Sequence, residues 1–181
     1  VEFEQFPFVV DCAKRLGASD ISIFSWLKTA TARPPKAAGH ASPDAPHEEI
    51  AALLRRLGDL AGTAGLTLSV EVGYQCWADS GQAVWRLLEA ARHPALQIAW
   101  DPCNSWSGLI WWSRRNPAPF PLPHIGDYLA LDLAALPDRI SAVHLRDMIP
   151  FEGDPGWAYV LPGHGAIDWP DLMARLRARG Y

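Results

Sequence analysis

The sequence predicts an α/β protein built on a parallel sheet, and three observations carry that prediction. Stretches of helical period alternate with short stretches of strand period along the whole chain. A loop-helix-loop interval separates each strand from the next, as a parallel crossover requires. Three of the strands run into a residue able to hold a cation, namely Glu71, Asp101 and His144. Four helix-strand pairs closed by a further helix fit a small open sheet or half of an eight-stranded barrel. In either architecture ligands gather beyond the carboxyl ends of the strands, where these side chains fall.

The elements follow from local pattern. Over 6–16, Val9, Cys12, Ala13 and Leu16 recur at i, i+3, i+4 and i+7, and Gly17 stops the helix. A short strand follows at Asp20 to Ser25. Residues 26–46 are rich in Ala, Pro, Thr and Ser, with Pro34, Pro35, Pro43 and Pro46, and predict a long surface loop carrying His40 and leading into His47. From His47 to Ala64 the stripe Ile50, Leu53, Leu54, Leu57, Leu60, Ala61 and Ala64 specifies an amphipathic helix, ended by Gly65. Leu66 to Val72 then alternates. Leu66, Leu68, Val70 and Val72 face the helices, and Thr67, Ser69 and Glu71 face the other way.

Ser80 is placed to cap a helix ending at Arg92, with Val84, Leu87, Leu88 and Ala91 buried. The strand Leu96 to Asp101 repeats the alternation and puts Asp101 on the same, less apolar face as Glu71. A second loop is expected over 102–126, with Trp106, Trp111, Trp112 and four prolines. A helix over 127–136, a strand over 139–145, a third Gly-rich loop over 150–167 and a helix capped by Asp168 over 169–179 complete the chain.

Composition narrows the function. The 181 residues suit a single domain, or part of one, spanning 1–181. Net charge is −4 with no basic stripe, which argues against a nucleic-acid partner. No apolar run reaches the ~20 residues of a membrane span, so no membrane partner is expected. Cys12, Cys76 and Cys103 are odd in number and outside any CxxC pattern, as in a reduced compartment, and a cytoplasmic location is expected. Nothing in the sequence opposes a homo-oligomer.

Glu71, Asp101 and His144 are each separated by one crossover, and neighbouring strands lie ~4.8 Å apart, so the three can meet at one ion. Two carboxylates and an imidazole suit Mn²⁺, Mg²⁺, Co²⁺ or Zn²⁺. A strand-end acid can instead pair with Arg or cap a helix, and both alternatives stand for any one of the three taken alone. Trp106, Trp111, Trp112 and Trp157 could form apolar walls of a ligand site or pack under the loops. His164, in a Gly-His-Gly turn, is either a turn residue or an extra ligand, and Arg146 and Asp147 contact substrate or pair with each other.

Five segments in order, VEV around Glu71, DPCN with Asp101 and Asn104, VHLRD with His144 and Arg146, LPGHGAIDW over 161–169 and the closing RGY, resemble the xylose isomerase-like TIM barrel superfamily. Within it the chain is similar to the sugar phosphate isomerase/epimerase branch, from about Gly17 onward. The resemblance implies a parallel (β/α) barrel of TIM type, of which this chain would hold about the third to sixth β/α units. It implies one divalent cation, with Glu71 as ligand and proton-transfer base, and Asp101 and His144 as ligands. Asn104 stands where many relatives have a substrate-binding His, so Asn104, Arg146 and Trp106 are the expected substrate contacts. The implied activity is metal-dependent isomerisation or epimerisation of a sugar, sugar phosphate or inosose through an enediolate.

The family's fourth ligand lies past the point where this chain ends, so residues 1–181 alone are expected to bind metal weakly and turn over nothing. Two other readings compete. An abasic-site endonuclease on a similar barrel would need more His and acidic ligands and a basic groove, and a degenerate barrel would bind sugar without turnover.

Overall fold

The computed structural model describes residues 3–26, 47–115, 118 and 120–181. The elements run α1 (Phe6–Arg15), β1 (Asp20–Phe24), α2 (His47–Thr63), β2 (Thr67–Glu71), α3 (Gly81–Ala91), β3 (Leu96–Trp100), α4 (Pro102–Arg115), α5 (Ile125–Ala134), β4 (Ile140–Val143), β5 (Asp147–Pro150), β6 (Trp157–Val160) and α6 (Trp169–Ala178). β1 to β4 form one parallel sheet in the order β1-β2-β3-β4. Every strand lies beside its sequence neighbour, with no reversal of direction across the sheet. Right-handed crossovers repeated in one direction put all the connecting helices on one face, which is the arc of a (β/α) barrel and not a doubly wound sheet.

The strand alternation is realised as the sequence predicts. Leu68, Val70, Leu96 and Ile98 are fully buried against the helices, where they meet Leu54, Leu57, Leu87 and Leu88. Burial of each such side chain contributes on the order of 1.5–3 kcal/mol, so this layer holds the sheet to its helices. On the opposite face Ser69 Oγ sits 2.6 Å from Asp20 Oδ2 and 2.5 Å from Ser141 Oγ, linking β1, β2 and β4 through one polar layer. The registers Phe24↔Glu71 and Glu71↔Ala99 set Glu71 at the carboxyl end of that same face.

Helix ends obey the local signals. Ser80 Oγ accepts from Ala83 N at 3.2 Å, and Asp168 Oδ1 accepts from Asp171 N at 3.0 Å. Gly17 and Gly65 take positive φ, 71° and 74°, at the ends of α1 and α2. The three cysteines are free. Among the described residues no helix is long and apolar enough to cross a membrane.

Three expectations are corrected. Most of the loop expected over 102–126 is the helix α4, whose residues 102–110 are all buried. A helix enclosed on every side has no polar face, so it shows no periodic stripe. The missed signal is Asp-Pro, because Asp101 caps α4, its Oδ1 accepting from Asn104 N at 2.9 Å, and Pro102 takes the first helical position. The loop expected over 150–167 holds β6, which pairs antiparallel with β5. In α1 the buried side is Phe6, Val10 and Ala13, while Leu16 is 85% exposed, so the helix is turned from the stripe assigned by spacing. The loop expected over 26–46, with His40, lies beyond Trp26 outside the described residues.

Candidate metal centre

Glu71 closes β2, while Asp101 and His144 each follow the last residue of β3 and β4. These strands are hydrogen-bonded neighbours. Val72 N donates to Ala99 O at 3.0 Å, and His144 N donates to Trp100 O at 2.8 Å, so the backbone holds the three positions level at one rim of the sheet. Their candidate ligand atoms all lie within 4.8 Å of one another. His144 Nδ1 is 3.1 Å from Glu71 Oε1 and 3.4 Å from Asp101 Oδ2. Two ligands each ~2.1 Å from one cation, at roughly 90–110°, stand about 3.0–3.4 Å apart, so these separations fit a divalent ion.

The surroundings tune the cluster. The Asp101 side chain is 0% exposed, Glu71 13% and His144 34%, so the group runs from a buried anchor to an accessible nitrogen. Hydrogen bonds to Asp101 and then Glu71 push the His144 pKa up to about 9, against the opposing effect of burial. Arg146 forms an ion pair with Asp101 Oδ2, and its guanidinium lies 4.9 Å over the Tyr159 ring. Asp101 therefore works in two directions, with Oδ1 fixing the start of α4 and Oδ2 facing the cationic side chains. The nearby Cys103 thiol is pushed up to about 12 by burial and by Asp101, which leaves it a neutral packing group.

The rim opens into a cavity of about 1260 Å³. Its lining combines polar side chains, Glu71, Asn104, His144, Arg146 and Tyr159, with apolar ones, Phe6, Ile23, Trp26 and Leu57. The structure brings Glu71, Asp101 and His144 together at one rim. Asn104 lines the cavity, but its amide donates to Val72 O at 2.9 Å and its Oδ1 stands 3.5 Å from the Tyr159 hydroxyl, so it ties β2 to α4 as much as it faces a ligand.

Trp106 is corrected. It is 4% exposed, packs edge-on against Tyr128 at 5.5 Å and belongs to the core, because α4 is a buried helix and not a mouth loop. Trp112 is also buried, with Nε1 2.5 Å from Asp79 Oδ2. His164 is exposed and outside the metal-ligating group found among the described residues. Arg146 and Asp147 do not pair with each other. Asp147 is 0% exposed and accepts from Met148, Gly163, Gly165 and Ile167 N–H at 2.8–3.2 Å, tying the 163–167 turn to the start of β5. Tyr159 is the site residue that sequence reasoning missed, since its strand lies in a stretch read as loop.

A family model described as xylose isomerase-like TIM barrel matches residues 2–181. Among solved structures the chain is similar to a xylose isomerase-like TIM barrel protein from Mycobacterium smegmatis in complex with magnesium. The TM-score is 0.70 at 18% identity, covering 99% of this chain and 57% of that one. A xylose isomerase domain protein from Planctomyces limnophilus gives 0.67 at 18% identity, covering 99% and 55%. A D-allulose 3-epimerase from Methylomonas sp. gives 0.64 at 17% identity, covering 99% and 52%. At these identities the likeness is one of fold, and the chain spans a little over half the length of these proteins. No curated protein matches the sequence.

Proposed function

The chain belongs to the xylose isomerase-like TIM barrel family, and on that premise we propose that it is the metal-binding part of a sugar isomerase or epimerase. The observation that carries the reading is the convergence of Glu71, Asp101 and His144 within 4.8 Å at adjacent strand ends. The magnesium named for the M. smegmatis structure and the epimerase named for the Methylomonas one support the choice of cofactor and chemistry. Mn²⁺, Mg²⁺, Co²⁺ and Zn²⁺ all suit two carboxylates and an imidazole.

Glu71, Asp101 and His144 would hold a divalent cation here, which would supply Lewis-acid stabilisation for negative charge developing on substrate oxygen. The chain supplies the rest. Asp101, locked by the Asn104 N–H, is the rigid ligand, and His144 is the accessible one. Glu71, on the cavity wall, takes the proton from the carbon next to the carbonyl. Arg146 offers its guanidinium to a substrate oxygen while Tyr159 holds its plane. Among the described residues that line the cavity, Glu71 is the one carboxylate. A single carboxylate suffices to pass a proton between adjacent carbons on one face, which is isomerisation. Inversion at one carbon calls for a second acid across the substrate.

The test is titration with Mn²⁺ followed by electron paramagnetic resonance. The reading expects one ion per chain and loss of that ion in Asp101→Asn. No Mn²⁺ site even at saturating ion, or binding unchanged in Asp101→Asn, sinks it.

A further inference from the structure

A second cleft adjoins the cavity over the metal cluster. It encloses about 360 Å³ and is walled chiefly by Tyr74, Trp111, Asp154, Trp157 and Tyr159. Tyr74, Gln75 and Tyr159 line both spaces, so the two share a wall. We propose that this cleft is a second glycosyl subsite, and that the substrate is a two-unit glycoside whose second ring lies here while the first faces Glu71 and His144. The proposal rests on the sugar reading above and extends it to the substrate class.

The chemistry of the walls selects the occupant. Carbohydrate rings present C–H faces that pack on aromatic side chains and hydroxyls that need acceptors, and this cleft offers both. Its aromatic walls are fixed in place. Tyr74 meets Trp157 edge to face at 5.3 Å and 75°, Trp111 meets Trp112 at 4.5 Å and 78°, and Tyr159 is pinned under Arg146. Asp154 is exposed, and its carboxylate can accept from two hydroxyls at once.

An apolar ligand would bring no donor to that carboxylate, whereas sugar hydroxyls would. The volume is at the lower end of the roughly 300–1,000 Å³ typical of ligand pockets, which suits one small ring.

The test is calorimetric titration of the Mg²⁺-loaded chain with D-glucose, cellobiose, maltose and lactose. At least one disaccharide is expected to bind ten times more tightly than glucose. Asp154→Ala, a surface change that leaves the fold intact, and Tyr159→Ala should each narrow that ratio at least threefold. Disaccharides that bind no tighter than glucose, including no binding of any of the four, overturn the subsite. So does a ratio left untouched by both variants. The measured quantity is a ratio of sugar affinities, whereas the metal-enzyme reading stands or falls on Mn²⁺ stoichiometry, so the two can fail separately.

Discussion

Asp101 and Asp132 are both buried carboxylates, one on each side of β3, and they do opposite work. Trp100 and Asp101 are consecutive, so the strand alternation sends the indole into the helix layer and the carboxylate toward the cavity. In the helix layer Asp132 accepts from Gly81 N at 2.6 Å and from Trp100 Nε1 at 2.9 Å, and burial pushes its pKa up. Its partners there are neutral donors, which makes it a brace between α3, β3 and α5. Asp101 has one neutral donor, the Asn104 N–H, and its other oxygen faces His144 and Arg146. A carboxylate met only by neutral donors stabilises the fold, while one that gathers cationic side chains at a cavity edge can exchange one of them for a metal.

Glu71, beside Asp101 in the cluster, is where substitution should cost most. Glu71→Gln keeps a neutral oxygen near His144 but removes the base. Deuterium uptake at the carbon next to a ketose carbonyl, followed by NMR in D₂O on the active protein, should fall by about 10²–10⁴-fold. Uptake at the original rate would remove Glu71 from the proton-transfer role. Next is Asp101→Asn, which still accepts from the Asn104 N–H but no longer offers an anion to the cluster. Mn²⁺ affinity should drop by more than about 100-fold, while α4 stays helical by circular dichroism. Asp132→Ala sharpens the contrast from the other side. It leaves the Gly81 N–H and the Trp100 indole N–H unpaired in the core and should lower unfolding stability by about 1–3 kcal/mol in urea, with Mn²⁺ stoichiometry kept. Loss of the metal with Asp132→Ala, at full stability, would erase the distinction drawn between the two acids.

The parts of this architecture that sequence showed are those with a period or a terminus. Leu68 and Val70 alternate with polar neighbours because one face of the strand meets helices, and Glu71, Asp101 and His144 stand out because an ionisable group ends an apolar run. Helix α4 escaped because enclosure on all sides erases amphipathic period, leaving Asp101-Pro102 as its only local sign. That omission also misplaced Trp106, which as a loop residue would face a ligand and as a helix residue packs on Tyr128. Tyr159 escaped for a different reason. β6 is four residues long and is defined by pairing with β5, a contact set by the turn between them and by no period of its own.

The last effect expected is one of pH, and it separates Asp101's two cationic neighbours. Arg146 stays charged at any working pH, whereas His144, with its pKa raised to about 9 by its hydrogen bonds to Asp101 and Glu71, holds a proton that a cation must displace. Below pH 9 each bound ion releases that proton, so Mn²⁺ affinity should rise with pH by up to about tenfold per unit and level off above about 9. Without metal the sign reverses. A folded-state pKa raised above the ordinary 6.5 gives a stabilising contribution that is full below pH 6.5 and is lost as pH climbs through about 9. Calorimetry in two buffers of different ionisation enthalpy counts the released proton directly. In His144→Asn that proton should vanish from the count and the affinity should become flat between pH 7 and 9. Affinity that is already flat over that range in the unaltered chain would mean that the imidazole never joins the cation, leaving two carboxylates too few to hold it at this rim.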